Sequence, residues 1–361
     1  MRVGVIGAGQ LARMMIPAAV NLGVELRVLA EAEGMSADLA SVGVGDYRDA
    51  EIVLAFARDV DVITFDHEHV PQSVLEALEA SGALVRPGRH ALRFAQDKIE
   101  MRRRLTELGM PVPDWAAVEN ADELAAFLAE HGGVAVAKTA RGGYDGKGVR
   151  VVRDAGAADD WFAALAEDGN GGAILVEELV SFRRELAQSV ARRPSGEVAP
   201  WPLVESIQRD GVCAEVIAPA PDSAGRLADV AADVAIAIAE GLDVTGVLAV
   251  ELFETTDERI LVNELAMRPH NSGHWSIEGS TTSQFEQHLR AVLDLPLGAT
   301  GCREPHTVMV NVFGSDGMAP MGRSYGRVLA EHPLAKVHNY GKEPRAGRKL
   351  GHVTVTGDDL D

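Results

Sequence analysis

Two acidic side chains on the arms of a predicted hairpin could share a metal ion. Glu251 and Glu264 lie in apolar stretches of residues 244–265, which the polar turn TTDE divides. A turn centred at residues 256–257 makes the two carboxylates diagonal neighbours on one face, about 7–8 Å apart at their backbones, and directs Asn263 to the other face. Mg²⁺ in nucleotide sites takes one or two carboxylates together with phosphate oxygens and water. The hairpin therefore predicts a metal site; a solvated surface pair is the alternative, which the apolar flanks disfavour.

A glycine-rich loop, ARGGYDGKG at residues 140–148, could close over phosphate groups. It joins two predicted strands, carries Lys147 among its glycines and follows Lys138 at the end of the first strand. Backbone N–H groups and lysines in such loops hold anionic oxygens. The loop is not a Walker A motif, because Arg141 replaces a glycine and Lys147 precedes Gly148 instead of Ser or Thr. A glycine hairpin with a surface lysine is the alternative.

A dense polar segment, AMRPHNSGHW at residues 266–275, follows the hairpin directly. It has neither helical nor strand periodicity, which is typical of a loop that forms part of a site. His270 and His274 could bind zinc together with His67 and His69, but the four histidines lack a recognisable ligand spacing. The segment therefore predicts a substrate-contacting loop without zinc.

Five basic residues cluster near the end of this acidic chain. They lie within fourteen residues that contain one acid, Glu343. Such a cluster predicts a phosphate pocket, and a solvated basic segment is the open alternative. The five residues are Lys336, Lys342, Arg345, Arg348 and Lys349.

The N-terminal turn GAGQLA, residues 7–12, has the spacing of a dinucleotide-binding turn. With Glu31 at the end of the next predicted strand, it would by itself indicate NAD. Its physical requirement is only a close backbone approach at a helix N-terminus, which a phosphate, a sugar or no ligand satisfies equally. The strand VAVAK, ending at Lys138, is similar to a protein-kinase strand, but the chain has no HRD or DFG motif, which excludes a protein kinase.

Composition excludes several classes of protein. The 361 residues include 34 basic and 54 acidic side chains, and the formal charge of −20 argues against a nucleic-acid partner. A hydrophobic fraction of 47% and a charged fraction of 24% exclude disorder for most of the chain. The most continuous apolar stretch, residues 227–242, carries three acids, so no membrane segment is predicted. Cys213 and Cys302 are too few for a disulfide framework and favour the cytoplasm.

The order of predicted elements indicates how these residues are positioned. Strands at 2–6, 25–30 and 60–65 alternate with helices at 11–22 and 49–58, which predicts a parallel, doubly wound sheet ending near residue 95. A basic helix at 97–108 leads to an α+β unit with strands at 134–138, 149–153 and 174–180 and helices at 122–130 and 161–167. An amphipathic helix from Leu227 precedes the hairpin, and a smaller segment begins near residue 300.

The combined motifs resemble those of ATP-grasp ligases, since Lys98, Lys138, the loop 142–148, EELV at 177–180, Glu185, Glu251 and Asn263-Glu264 occur in the expected order. GAGQLARM, GGYDGKG, NELAMRPHNSGHW and YGKEPRAGRKLGH are similar to segments of the 5-(carboxyamino)imidazole ribonucleotide synthase family, along essentially the whole chain. The resemblance implies an ATP-grasp fold of α/β and α+β character. It implies a Rossmann-like substrate-binding (pre-ATP-grasp) domain over 1–95, an ATP-grasp domain over 96–298 with a small α+β lid at about 115–180, and a small C-terminal domain over 299–361 that contributes to the ribonucleotide site.

The resemblance also implies a role for individual residues. ATP would be bound by Lys98, Lys138, Gly143, Tyr144, Asp145, Gly146, Lys147, Gly148, Val149, Glu177, Glu178, Leu179, Val180, Glu185, Gln208, Asn263 and Glu264. Glu251 and Glu264 would hold Mg²⁺, or Mn²⁺ in its place. The ribonucleotide would contact Gln10, Leu11, Glu68, Tyr144, Asn271, Ser272, Lys342, Arg345, Arg348 and Lys349. Catalysis would fall to Arg268, His270 and Lys342.

The implied reaction is ATP-dependent carboxylation of 5-aminoimidazole ribonucleotide with bicarbonate in purine biosynthesis, through carboxyphosphate. A cytoplasmic homodimer with small-molecule partners, and with neither nucleic acid nor membrane, is expected. The alternatives are another ATP-grasp ligase acting through an acyl phosphate, for which formate is the candidate acid, and a Rossmann dehydrogenase built on GAGQLA and Glu31.

Overall fold

The structure, a computed structural model, describes residues 1–143, 148–167 and 172–360. Four residues predicted at the ATP site, Tyr144, Asp145, Gly146 and Lys147, lie outside the described residues, and Tyr144 was also expected at the ribonucleotide. Within those ranges, none of the helices combines the length and the apolar character that crossing a membrane requires.

The N-terminal unit is built from alternating strands and helices. Its elements are β1 (Arg2–Ile6), α1 (Gln10–Leu22), β2 (Glu25–Ala30), β3 (Ser41–Val44), α2 (Ala50–Ala57), β4 (Val62–Phe65), α3 (Gln72–Ala80) and α4 (Arg89–Gln96). The strands run parallel in the order β3-β2-β1-β4, so the predicted Rossmann-like sheet is confirmed. The sequence did not predict β3, because three of its four residues are exposed and give no apolar pattern.

The helix α5 (Lys98–Glu107) leads into the lid, an α+β unit with its own sheet. The lid consists of β5 (Trp115–Val118), α6 (Ala121–Glu130), β6 (Ala135–Thr139), β7 (Val149–Val152), α7 (Asp159–Glu167) and β8 (Ile174–Glu178). Its antiparallel strands have the order β5-β8-β6-β7. Leu124, Phe127, Val152 and Val176 belong to its core, whose described members all come from the lid. The predicted α+β lid is therefore confirmed.

A large antiparallel sheet forms the centre of the molecule. Its strands in this part of the chain are β9 (Phe182–Arg192), β10 (Val198–Pro200), β11 (Val204–Arg209), β12 (Val212–Ala218), β13 (Gly246–Thr255) and β14 (Ile260–Ala266). The helices of the same part are α8 (Arg226–Gly241), α9 (Ser276–Gly279) and α10 (Gln284–Val292). The neighbours run β14-β13-β9-β11-β12, and β10 pairs with β9. The predicted amphipathic helix is α8, and its Ala231, Val234, Ala235 and Ile238 are buried.

The C-terminal strands extend the same sheet. They are β15 (His306–Phe313), β16 (Lys336–Asn339) and β17 (Lys349–Gly357), with α11 (Tyr325–Glu331) between β15 and β16. β15 pairs with β12, and β17 lies between β15 and β16. One sheet therefore runs from β14 at one edge to β16 at the other.

A β-bulge changes the predicted register of the β13–β14 hairpin. Leu252 pairs with Val262, but the next pair is Glu251 with Glu264, so Asn263 is the extra residue. The predicted diagonal arrangement is therefore wrong, and the two glutamates stand directly opposite each other. Arg102 Nη2 donates to the Asn263 carbonyl oxygen at 2.6 Å, a contact with the backbone at the bulge.

Candidate active site

One cleft of about 2090 Å³ collects nearly all the predicted site residues that the structure describes. Its walls come from the N-terminal unit, the lid, the central strands and the loop before β17. The residues on the cleft wall are Gln10, Leu11, Glu68, Lys98, Lys138, Gly143, Val149, Glu177, Glu178, Leu179, Val180, Glu185, Gln208, Glu251, Asn263, Glu264, Arg268, His270, Asn271, Lys342, Arg345, Arg348 and Lys349. Gly148 and Ser272 are the described exceptions: Gly148 is half-buried and Ser272 is buried, and neither lines the cleft.

Gly148 directly precedes β7. Its φ of +73° lies in the left-handed region, and a Cβ there would collide with Thr139 Oγ1. Its carbonyl oxygen accepts from Thr139 N at 2.9 Å, which joins the end of the loop to β6. The backbone conformation of Gly148 therefore requires a glycine before β7.

Three carboxylates share the cleft face of the central sheet. Glu251 is opposite Glu264, and Glu185 on β9 is opposite Phe253 on β13. Burial raises the pKa of Glu251 to about 7, and repulsion from Glu264 and Glu185 adds to it. Burial also raises the pKa of Glu185 to about 7, against the attraction of Lys138. Crowded acids of this kind suit a bound cation, which offsets their repulsion.

The small number of protein ligands in the cleft limits which metal ion could bind there. Among the residues with a described position, no group of three or more His, Cys, Asp or Glu side chains is placed to hold a metal. A metal on Glu251 and Glu264 would therefore take further ligands from water and substrate, as Mg²⁺ does beside phosphates. Lys98 Nζ lies 3.3 Å from Glu264 Oε1 and brings a positive charge to the same corner.

A buried ionic network supports the lysine of β6. Lys138 Nζ donates to Glu177 Oε2 and to Asn263 Oδ1, each at 2.9 Å. Arg102 donates to the other oxygen of Glu177 and is itself wholly buried. Burial would raise the pKa of the Glu177 carboxyl, but Arg102 and Lys138 outweigh it and hold the pKa below its usual value. Asn263 faces the cleft because of the bulge, so its predicted placement on the other face is wrong.

Apolar side chains line the part of the cleft next to the lid. Val136 and Val149 come from lid strands, and Leu179 follows β8. Phe182 and Phe253 stack with ring centroids 4.8 Å apart at 20°. A flat aromatic base fits between such surfaces. The sequence did not single out the two phenylalanines, although Phe253 shares the face of Glu251.

Arg268 and His270 occupy the wall between the carboxylates and the N-terminal unit. Arg268 Nε donates to Glu68 Oε2 at 2.7 Å, which ties the polar segment to the loop after β4. His270 Nε2 lies 3.4 Å from Glu251 Oε1, and His270 Nδ1 accepts from the Ser272 hydroxyl at 2.9 Å. Ser272 is therefore a partner of His270, and the structure does not bring its side chain to the cleft.

The protonation state of His270 follows from its surroundings. Burial lowers the pKa of His270 to about 3, with Arg268 and Lys349 adding to the effect. The ring is therefore neutral near pH 7. Because Nδ1 accepts from the Ser272 backbone N–H at 3.4 Å, the ring proton is assigned to Nε2, which faces Glu251.

Four of the five residues of the basic cluster line the cleft. Lys342, Arg345, Arg348 and Lys349 line the cleft, whereas Lys336 is exposed on β16 outside it. Lys342 Nζ donates to Gln10 Oε1 at 2.6 Å, so this loop meets the start of α1. Gly314 N donates to Arg348 O at 2.8 Å and Gly347 N donates to Gly314 O at 3.0 Å, which holds the loop against the residue that follows β15.

The turn before α1 is filled by a protein carboxylate. Asp66 accepts from Gly9 N at 2.9 Å and from Ala12 N at 2.7 Å, where a dinucleotide would place its pyrophosphate. A Cβ at Gly9 would collide with Asp66 Oδ2, so a glycine is needed here for the close approach of the Asp66 carboxylate. Glu31 lies 4.0 Å from His67 Nε2. The geometry therefore disfavours the dehydrogenase alternative.

Arg102 supports two cleft residues, Glu177 and Asn263, and the sequence did not single it out. It lies three residues after Ile99 and three before Leu105, on the buried side of α5. An arginine at that spacing within an apolar stripe was the available signal.

Three family models match the chain in order. Residues 1–96 match the ribonucleotide synthetase preATP-grasp domain, residues 103–285 the ATP-grasp domain, and residues 307–361 the phosphoribosylaminoimidazole carboxylase C-terminal domain. The matched ranges correspond to the N-terminal sheet, to the lid with the central strands, and to the strands β15–β17.

Relatives resemble the chain over almost its whole length. N5-carboxyaminoimidazole ribonucleotide synthase of Mycobacterium tuberculosis is 50% identical over 362 residues, covering 99% of this chain and 84% of the relative. A solved ADP complex of an N5-carboxyaminoimidazole ribonucleotide synthetase has a TM-score of 0.89 and 34% identity, covering 99% of this chain and 93% of the other. The Aspergillus clavatus N5-carboxyaminoimidazole synthase, solved with ADP and 5-aminoimidazole ribonucleotide, has a TM-score of 0.88 and 32% identity, covering 99% and 94%.

The matched domains and the relatives that cover almost the whole chain agree. The chain has the ATP-grasp fold of an ATP-dependent ligase, and it belongs to the N5-carboxyaminoimidazole ribonucleotide synthase family.

Proposed function

We propose that this protein uses ATP and bicarbonate to carboxylate the exocyclic amine of 5-aminoimidazole ribonucleotide, giving N5-carboxyaminoimidazole ribonucleotide, ADP and phosphate in purine biosynthesis. The observation that carries the proposal is one cleft whose wall includes the carboxylates with Lys98 and Lys138, the pair Arg268 and His270, and the basic loop. A ligase that joins two anionic substrates through a phosphorylated intermediate needs these three regions in one enclosure.

The reaction takes two displacements. A bicarbonate oxygen attacks the γ-phosphorus of ATP, ADP leaves and carboxyphosphate forms. The amine nitrogen of the ribonucleotide then bonds to the carboxyl carbon, phosphate leaves and the nitrogen loses a proton. Carboxyphosphate is easily hydrolysed, so the cleft must keep water away between the two steps.

The phosphate end of the cleft suits the first displacement. Lys98 and Lys138 bring positive charge to the transferring phosphoryl group, and the Glu177 network holds Lys138 in place. Glu251 and Glu264 are the residues that would hold Mg²⁺ or Mn²⁺, because they face each other on the cleft wall. When bound, the ion offsets the charge of the β- and γ-phosphates.

The middle of the cleft suits the second displacement. Arg268 is oriented by Glu68, and its guanidinium can bind the anionic carboxyl group of the intermediate. The neutral His270 ring directs its Nε2–H toward the same space and can donate a hydrogen bond to that group. Both contacts strengthen as charge develops on oxygen.

The basic loop suits the ribonucleotide phosphate. Lys342, Arg345, Arg348 and Lys349 supply the positive charge. Gln10, Leu11 and Asn271, on the same wall, are assigned to the imidazole and ribose. Phe182, Phe253 and the lid residues around Val149 are assigned to the adenine of ATP.

The test is phosphate release from MgATP and bicarbonate, with and without 5-aminoimidazole ribonucleotide, beside the Glu264→Gln variant. We expect release that requires the ribonucleotide, carbon from labelled bicarbonate in an acid-labile product, and loss of both in the variant. Incorporation of labelled formate instead would favour the acyl-phosphate ligase alternative. Absence of release with any of these acids would overturn the proposal.

We also propose a cytoplasmic homodimer. Cys213 and Cys302 form no disulfide, which supports a reducing compartment. Burial raises the pKa of the Cys213 thiol to about 11, which makes it unreactive. Light scattering on the purified chain tests the dimer, and a monomeric mass at micromolar concentration would contradict it.

A further inference from the structure

The side chain of Gln284, the first residue of α10, forms hydrogen bonds with both the backbone N–H and the carbonyl oxygen of His270. Its Oε1 accepts from His270 N at 2.8 Å, and its Nε2 donates to His270 O at 2.8 Å. Gln284 is completely buried and lies behind the cleft wall. The amide pairs with His270 as a neighbouring strand would, at a point where the chain has left β14.

The orientation of this amide is fixed by its partners. The second Nε2 hydrogen points to His274 Nδ1 at 2.8 Å, so both amide N–H groups donate and Oε1 accepts, which uses three of the four positions of the amide. A flipped amide would set Nε2 against the His270 N–H and Oε1 against the His270 carbonyl. The arrangement therefore also requires that His274 Nδ1 accept.

Hydrogen bonds and packing fix the position of Gln284 at the start of α10. Its backbone N donates to Ser276 Oγ at 2.9 Å, and Ser276 Oγ donates to Gly273 O at 2.6 Å. The next residue, Phe285, is buried in the core that joins α10 to α1. A Cβ at Gly273 would collide with the Gln284 amide, so the two segments of the chain are in close contact there.

The clamp determines where the His270 ring can lie. Gln284 and Gly273 N hold the His270 backbone, and Ser272 holds ring atom Nδ1. Nε2 is then left facing the cleft, 3.4 Å from Glu251. Small displacements at such a group are costly, because a shift of about 1 Å can lower a rate by about 10²-fold.

We propose that Gln284 is a positioning residue that aims His270 at the carboxyl group of the intermediate, so that carboxyphosphate is captured by the amine before water hydrolyses it. The inference rests on the proposed function and adds a residue that does not touch the substrates. His274 assists by accepting the second amide proton.

The same helix provides a matched control. Gln287 is also completely buried, and its amide pairs with both backbone groups of Gly298, with Nε2 to O and N to Oε1 each at 2.8 Å. Gly298 is not on the cleft wall. Gln284→Leu and Gln287→Leu each remove a buried amide that pairs with both backbone groups of one residue. Gln284→Leu also removes the bond to His274, and only this variant affects His270.

The decisive measurement is the ratio of phosphate released to carboxylated ribonucleotide formed. This ratio does not depend on how much of a preparation is folded. We expect about one for the wild type and Gln287→Leu, and at least about threefold more phosphate per product for Gln284→Leu, with product formation lower by about 10²-fold. KM for bicarbonate should rise while KM for ATP and for the ribonucleotide stays within about twofold.

Gln284→Glu carries the test if Gln284→Leu does not fold, because it keeps the volume and the acceptor for His270 N but loses the amide donor. A ratio near one and an unchanged bicarbonate KM in the folded Gln284 variants would overturn the role of Gln284 alone. A wild type without ribonucleotide-dependent phosphate release would overturn the proposed function and this inference together.

Discussion

Glu251 stands directly opposite Glu264 across β13 and β14, and the bulge at Asn263 produces this pairing. The extra residue lets two successive side chains of β14 face the cleft. Asn263 contacts Lys138 and Glu264 lies near Lys98, so one local irregularity brings the two carboxylates close to both lysines.

The first prediction concerns the pair as metal ligands. Glu251→Gln and Glu264→Gln should each lower the rate of phosphate release by about 10²–10³-fold, because each weakens the hold on the ion beside the phosphates. Steady-state assays over a range of MgCl₂ concentrations should show a higher Mg²⁺ requirement. Glu258→Gln, at the exposed tip of the same hairpin, is the control and should behave as wild type. Equal activity in all three variants would exclude the pair as ligands.

The second prediction is a pH dependence of stability without metal. Burial, with Glu264 and Glu185 adding to it, raises the pKa of Glu251 from 4.5 to about 7 in the folded state, so the folded state binds more protons between these values. The free energy of unfolding in EDTA should therefore fall as pH rises from 5 to 8, by on the order of 3 kcal/mol from this group. Urea titrations of wild type and Glu251→Gln check this, and the variant should have the smaller slope. MgCl₂ should stabilise only the wild type, and identical slopes would contradict the origin in Glu251.

The third prediction concerns the buried Arg102–Glu177 pair. Arg102→Met should destabilise the protein by about 3–5 kcal/mol, because it leaves a buried carboxylate with Lys138 as its remaining cation. Arg103→Met, on the exposed side of the same helix, should change stability by less than about 0.5 kcal/mol. Denaturant unfolding of both variants provides the comparison. A similar small effect for both would show that the network contributes little.

The fourth prediction separates the basic residues by location. Arg348→Gln should raise KM for the ribonucleotide by about 10–100-fold, the effect of losing one charge-assisted contact, and leave KM for ATP unchanged. Lys336→Gln removes an equal charge outside the cleft and should alter neither constant. Kinetics at two salt concentrations would distinguish a direct contact of Arg348 with the ribonucleotide from a long-range electrostatic effect of the whole basic cluster. An equal change of the ribonucleotide KM in both variants would favour the long-range effect.

Strand periodicity was sufficient to put Glu251 and Glu264 on one face, but it could not give their register. The bulge involves a contact between Arg102 and the Asn263 backbone, which lie 161 residues apart. Alternation within one hairpin carries no information about such a partner. The strands β9 to β12 were missed for a related reason: Gln188, Ser189 and Ser206 are buried among their apolar residues and interrupt the pattern.

GAGQLA shows how a local motif can be correct in geometry and misleading about its ligand. The strand, turn and helix form as predicted, and the helix N-terminus does hold an anion. That anion is Asp66, which is 54 residues from Ala12. Gln284 was missed likewise, because a glutamine at a helix start gives no signal until the fold brings His270 to it.

The continuous sheet sets where this chain could be divided. Ending it near residue 300 would uncover β12 from Glu215 to Ala218, where β15 now pairs. An uncovered strand edge is a template for joining another molecule. A recombinant fragment lacking the last matched segment should therefore aggregate instead of forming a smaller enzyme. The last two matched segments contribute strands to one continuous sheet.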